Sequence, residues 1–148
     1  MLTEKDYCDY DTYVALKELG YKVSTSAYYM PKNSQLIFVI NQFRGGAVMD
    51  CFYSNNSLPK ECMASDFIDA PAMWEAQKWL REEKSIYVTV GCPLIMNEGL
   101  GWSYEVCDKP WNGHSDDDCV KASGGAYDSY EEALSEGIKG AVKILKEK

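Results

Sequence analysis

The sequence predicts an α+β fold: a single antiparallel sheet of about five strands with three helices, in the order α-βββ-α-ββ(β)-α. Three observations carry this. Apolar residues recur at helical spacing in three separated segments. The blocks between them are short runs with a period of two or none, bounded by Gly, Pro, Asn and Ser, as strands are. The connections within each block are too short for a parallel crossover, so the strands must pair antiparallel and the helices must cover one face of the sheet. At 148 residues the chain suits one domain over residues 1–148. A composition 46% hydrophobic and 26% charged is globular and excludes disordered, collagen-like and coiled-coil classes.

The first helix is placed over Asp11 to Leu19, with Val14, Leu16 and Leu19 apolar and Gly20 set to take the left-handed conformation that closes a helix. Strands follow at Ser24 to Met30, Leu36 to Phe43 and Ala47 to Tyr53. They are broken by Pro31-Lys32-Asn33-Ser34 and by Arg44-Gly45-Gly46, whose glycines supply the positive φ of a tight hairpin. The second helix opens at Ala70-Pro71, with Pro at the first helical position, and runs to about Lys84. Ala72, Met73, Ala76, Trp79 and Leu80 share one face of it, and Trp74 points almost opposite.

Ser85 to Cys92 and Trp102 to Cys107 read as strands, followed by a long polar stretch, Asp108 to Gly125, with a short strand near Cys119 to Ala122. The last helix is the clearest. Ser129-Tyr130-Glu131-Glu132 is a capping box, and Leu134, Ile138, Ala141, Val142 and Leu145 form one apolar stripe. Gly137 and Gly140 inside it each cost about 1 kcal/mol relative to Ala, which points to close approach of a neighbour.

The formal charge is −8, with an acidic start, a modestly basic segment carrying Lys22, Lys32, Arg44 and Lys60, and an acidic second half. Such a balance argues against extended nucleic acid, which needs several Lys or Arg per site. No apolar run approaches the roughly 18 residues of a membrane span, so no membrane partner is expected. Met1 to Asp11 lacks a basic region followed by an apolar one, so no signal peptide is read and a cytoplasmic setting is expected. The six cysteines then read as reduced, mostly buried thiols, without a C-x-x-C and without zinc spacing.

Catalytic sets are poor. The one histidine, His114, sits in the polar Gly113-His114-Ser115-Asp116, and no catalytic or metal-binding residue is assigned. Gly45-Gly46 lacks the Lys-Ser/Thr of a phosphate loop, and Gly99-Leu100-Gly101 precedes a strand instead of a helix, so no cofactor is expected. The aromatic content, 11 Tyr with 4 Trp and 4 Phe, exceeds what a core requires, and Tyr and Trp dominate binding hot spots. Trp74, Trp102, Tyr104 and Trp111 are those the core does not claim. With Arg44 as an anion-binding partner, they are the candidate ligand-binding residues.

Met1-Leu2-Thr3-Glu4-Lys5-Asp6-Tyr7 with Leu16-Lys17-Glu18-Leu19-Gly20-Tyr21, the segment Glu75-Ala76-Gln77-Lys78-Trp79-Leu80-Arg81-Glu82 after Ala70-Pro71, and Tyr127-Asp128-Ser129-Tyr130-Glu131-Glu132-Ala133-Leu134 resemble a family of small proteins of gut Bacteroidales phages, prophages and mobile elements. The resemblance implies a source and no catalytic residue. The leading expectation is a non-enzymatic binding module of phage or mobile-element origin that engages a host factor in the bacterial cytoplasm, with a counter-defence role. One alternative is a sponge that sequesters a small nucleotide-like signal, stacking its base on the aromatics with Arg44 on phosphate. Another is a small hydrolase using His114 or a loop metal. A homo-oligomer is compatible with any of these.

Overall fold

The computed structural model describes residues 4–22, 27–30, 35–39, 43–44, 47–48, 52–53, 68–92, 101–110 and 120–148. In chain order a 3-10 turn, Glu4–Asp6, is followed by α1 (Tyr10–Glu18), β1 (Ala27–Met30), β2 (Gln35–Val39), β3 (Phe43–Arg44), β4 (Ala47–Val48), β5 (Phe52–Tyr53) and β6 (Ile68–Asp69). Then come α2 (Met73–Lys84), β7 (Tyr87–Gly91), β8 (Trp102–Cys107), β9 (Val120–Tyr127) and α3 (Tyr130–Lys146). The chain is α+β with three helices among the described residues. It divides into two compact units, Met1–Tyr21 with Ala72–Lys148, and Lys22–Pro71.

The described strands form three separate sheets and not the expected single sheet of about five. In the shorter unit β5-β2-β1-β6 form an antiparallel sheet and β3-β4 a separate pair. In the longer unit β7-β8-β9 form a three-stranded antiparallel sheet. Among the described residues six strands, not three, separate α1 from α2. The expected run Leu36 to Phe43 contributes to two different sheets, as does Ala47 to Tyr53, and β6 is two residues long, too short to show a period. Arg44 pairs with Ala47, the pairing a two-residue Gly45-Gly46 turn predicts.

In the longer unit α3 lies along all three strands. Half of the expected capping box forms: the Glu132 N–H donates to the Ser129 hydroxyl (3.2 Å), but the Glu132 carboxylate reaches one residue further back and accepts from the Asp128 N–H (3.3 Å) instead of that of Ser129. Ala133, Leu134, Gly137, Ile138, Ala141 and Val142 are buried, and Leu145 is half-buried. A Cβ on Gly137 would stand 2.6 Å from Val88 Cγ1, so the close approach read from the sequence is real there. On Gly140 it would meet Val106 at 3.6 Å and the Tyr104 ring at 3.7 Å, ordinary contact.

The first helix buries Thr12, Tyr13 and Leu16, with Val14 only half-buried. Its face is rotated from the expected one because Tyr13 carries more apolar area than Val14 and packs edge-on against Tyr21, centroids 6.4 Å apart. Gly20 closes the helix at φ +98°. Asp9 pairs with Lys139 (3.0 Å) and Glu18 with Lys146 (2.6 Å), so α1 and α3 run in the same direction.

The second helix starts later than expected. Ala72 is its extended N-cap, bridged to Tyr7, so Pro71 precedes the helix. The Glu75 carboxylate reaches back to the Ala72 N–H (3.3 Å), which substitutes for a missing cap side chain. Ser85 ends it in the left-handed region. Gln77 donates to the Val88 carbonyl (2.8 Å) and ties α2 to the edge strand β7. Trp79 is half-buried, edge-on to Tyr21 at 5.3 Å, with the Lys84 ammonium 5.1 Å over its ring.

The third strand of this sheet is longer than expected. Ser123 to Tyr127 continue the strand through Gly124-Gly125, a pair that sequence alone reads as a breaker. Of the described cysteines, Cys8 and Cys107 are buried and Cys92 is exposed. Burial, with Asp9 beside it, pushes the Cys8 thiol up to about 12, so it stays protonated and inert. Among the described residues no helix is long and apolar enough to cross a membrane.

Candidate functional site: an aromatic corner

The alternation of β8 turns Trp102, Tyr104 and Val106 to one face, the face that α3 covers. Trp102 stands opposite Tyr127 across the strand pair, yet Tyr104 stands opposite Gly124. Two steps along β8 therefore match three along β9, which is a β-bulge at Gly125-Ala126. Ala126 takes φ +69°, a left-handed conformation an alanine adopts only under constraint. Gly101 leaves room for it: a Cβ there would lie 2.8 Å from the Ala126 Cα.

The bulge gathers four aromatic residues. Trp102 meets Tyr130, the first residue of α3, edge to face with centroids 5.5 Å apart. The Tyr104 and Tyr127 rings are tilted to one another with centroids 5.9 Å apart. Glycine makes the room, since a Cβ on Gly124 would stand 2.6 Å from Tyr104 Cε1 and 3.1 Å from the Tyr127 hydroxyl. Burial first, then the neighbouring Tyr127 and Glu136, raises the Tyr104 phenol above its usual value, so it is neutral at pH 7. Trp102, Tyr104 and Tyr127 are half-buried and Tyr130 is 38% exposed, so the rings form a contact surface and not a closed core. Asp128, Glu131 and Glu132 border it, Asp128 and Glu132 being exposed.

Of the sequence-predicted residues, the structure brings Trp102 and Tyr104 onto one face of β8. It leaves Trp74 on the outer face of α2, 55% exposed, with no ring contact to either of them among the described residues. Arg44 lies in β3 of the other unit. Trp111 and His114 lie outside the described residues, as does the side chain of Arg44. Sequence reasoning missed Tyr127 and Tyr130. The available signal was the position of Tyr127 and Tyr130 on either side of the N-cap Ser129, which places both where the last strand meets the last helix.

A groove of about 510 Å³ lies between α1 and α3, lined by Asp9, Thr12, Ala15, Lys139, Val142 and Lys143 among others. Its charges serve one another. Lys139 bonds both Asp9 (3.0 Å) and Glu136 (2.9 Å). Burial pushes the Asp9 carboxyl up, but bonds from the Thr12 hydroxyl and N–H and from the Lys139 ammonium outweigh it and hold Asp9 below its usual value. Burial likewise pushes Lys139 down, and Glu136 and Asp9 outweigh it and raise Lys139. This is a clasp between helices, and the aromatic corner is the stronger candidate. Among the described residues no group of three His, Cys, Asp or Glu could hold a metal ion.

Comparison of the chain with protein-family models, with curated proteins and with solved structures finds no match. The aromatic corner therefore carries the functional reading on its own.

Proposed function

We propose that this protein is a non-enzymatic binding module of phage or mobile-element origin that engages a host protein in the bacterial cytoplasm, in a counter-defence role, through the aromatic corner. The observation that carries this is the half-exposed Trp102–Tyr130 pair seated on a constrained bulge. A large aromatic surface with polar tips, held on a rigid strand and a helix start, is what protein-contact hot spots are made of. Bulges and left-handed non-glycine residues concentrate where a fold re-aims side chains for contact. Trp74, exposed on α2, supplies a second apolar contact on the same unit.

The reading that the protein sequesters a nucleotide stands behind this one. Asp128, Glu131 and Glu132 at the border of the corner repel phosphate. The test is affinity capture from a Bacteroidales lysate with the wild-type chain and with Tyr130→Ala, followed by binding of the purified candidate. A partner recovered by the wild type, lost with Tyr130→Ala and rebound in purified form supports the reading. The same set of proteins recovered by both chains overturns it.

A further inference from the structure

We propose that the partner segment received by the aromatic corner is basic, with Arg side chains laid over the Trp102 and Tyr130 rings and their guanidinium groups directed at Asp128, Glu131 and Glu132. This rests on the corner being the contact surface. Two independent properties of the corner point to a cation. The first is its rings: a guanidinium is drawn to the face of Trp or Tyr by the ring quadrupole, and an edge-to-face pair such as Trp102 and Tyr130 presents a face and an edge side by side. Tyr130 is exposed enough to be covered from solvent.

The second property is the sign of the border. Asp128 precedes the α3 cap, and Glu131 and Glu132 fill its first turn. The nearest described lysines along β9 and α3 do not offset them. Lys139 is held by Asp9 and Glu136, and Lys121 pairs with Asp108 at the opposite end of β9 (3.1 Å). The chain's net charge of −8, these three residues included, has the same sign. A partner of the same sign is repelled, whereas a basic one is steered in and its charge is met at the rim instead of in the desolvated centre, where pairing is costly. Arg is favoured over Lys because its planar, weakly hydrated group stacks on an aromatic face and still reaches a carboxylate in its own plane.

The experiment is calorimetric titration of the full chain with a synthetic Arg-Gly repeat peptide, with Lys-Gly and Glu-Gly repeats of equal length alongside. The Arg-Gly peptide is expected to bind more tightly than Lys-Gly, Glu-Gly not at all, and the affinity to fall as salt is raised. Tyr130→Ala is expected to weaken Arg-Gly binding about two- to fivefold, the equivalent of the roughly 0.5–1 kcal/mol of an exposed cation–π contact. Glu131→Gln is expected to weaken it too, whereas Glu83→Gln, on α2, leaves it unchanged. Equal losses with Glu131→Gln and Glu83→Gln would mean attraction to the net charge alone and would overturn the proposal, as would no Arg-Gly binding. Arg-Gly binding absent while Tyr130→Ala still abolishes capture of a host protein overturns the basic partner and leaves the corner standing.

Discussion

The two faces of the β7-β8-β9 sheet are built from alternate residues of the same strands and behave as different materials. On one side Val88, Tyr104, Val106 and Ala122 meet α3 so closely that α3 must carry glycine at position 137. On the other, Thr89, Glu105 and Ser123 stand in one row across the three strands, and all are exposed. The difference teaches where volume is fixed and where it is free. The aromatic corner lies at the boundary, at the end of the covered face where α3 begins, so its rings are anchored on one side and open on the other.

The largest break in that comparison should come from the covered face. Ile138→Ala removes a fully buried side chain of α3, and its cost is expected at about 2–5 kcal/mol, measured as a lower urea midpoint with unchanged slope. Gly137→Ala comes next. Helix propensity favours alanine by about 1 kcal/mol, but the new methyl meets Val88 Cγ1 at 2.6 Å, and overpacking of about 1–3 kcal/mol should win. Val88→Ala in the same chain should recover part of the loss, and a purely additive double variant would argue against the contact. Gly140→Ala, whose methyl enters ordinary contact, should go the other way and stabilise by up to about 1 kcal/mol.

The helix clasp sharpens the comparison from outside the sheet. Asp9 has its folded value depressed, so it contributes stability that is present above its unfolded value near 3.9 and is lost as pH falls through the folded value. Asp9→Asn should therefore lower stability at pH 7 by about 1 kcal/mol or less, since the pair with Lys139 is largely exposed, and the gap to wild type should close below about pH 4. A gap that does not narrow at all as pH is lowered from 7 to about 2 would assign the effect to packing instead of charge. Smallest of all is the outer face. Glu105→Gln should stay within about 0.5 kcal/mol of wild type in thermal unfolding, and a larger loss would mean that this face is not free.

Helices were legible because each carries its own signals. The Ser129 hydroxyl cap, Gly20 and the stripe of α3 are local, and they fall where their spacing puts them. Trp74 was legible for the same reason, since helical geometry alone turns it away from Ala76 and Leu80. Strand partners were not legible. A period of two marks a strand and says nothing about its neighbour, so the nine short strands and three sheets of the described residues could be read as five strands in one sheet. The site was half legible: Trp102 and Tyr104 stood out as aromatics at a strand start, but Tyr127 joins them only through a bulge at Gly125-Ala126, where the sequence pattern reads as loop.

By itself the sequence determined the α+β class, the three helices with the Gly20 end of the first and the Ser129 start of the last, the acidic charge and the surplus of Tyr and Trp, because each of these depends on composition or on residues a few positions apart. The tertiary structure alone decided which strands pair, that Gly137 faces Val88, and that Trp102, Tyr104, Tyr127 and Tyr130 meet at one corner. Those contacts join residues from separate strands and a helix, and cross-strand register, which local preference does not encode, sets their distances.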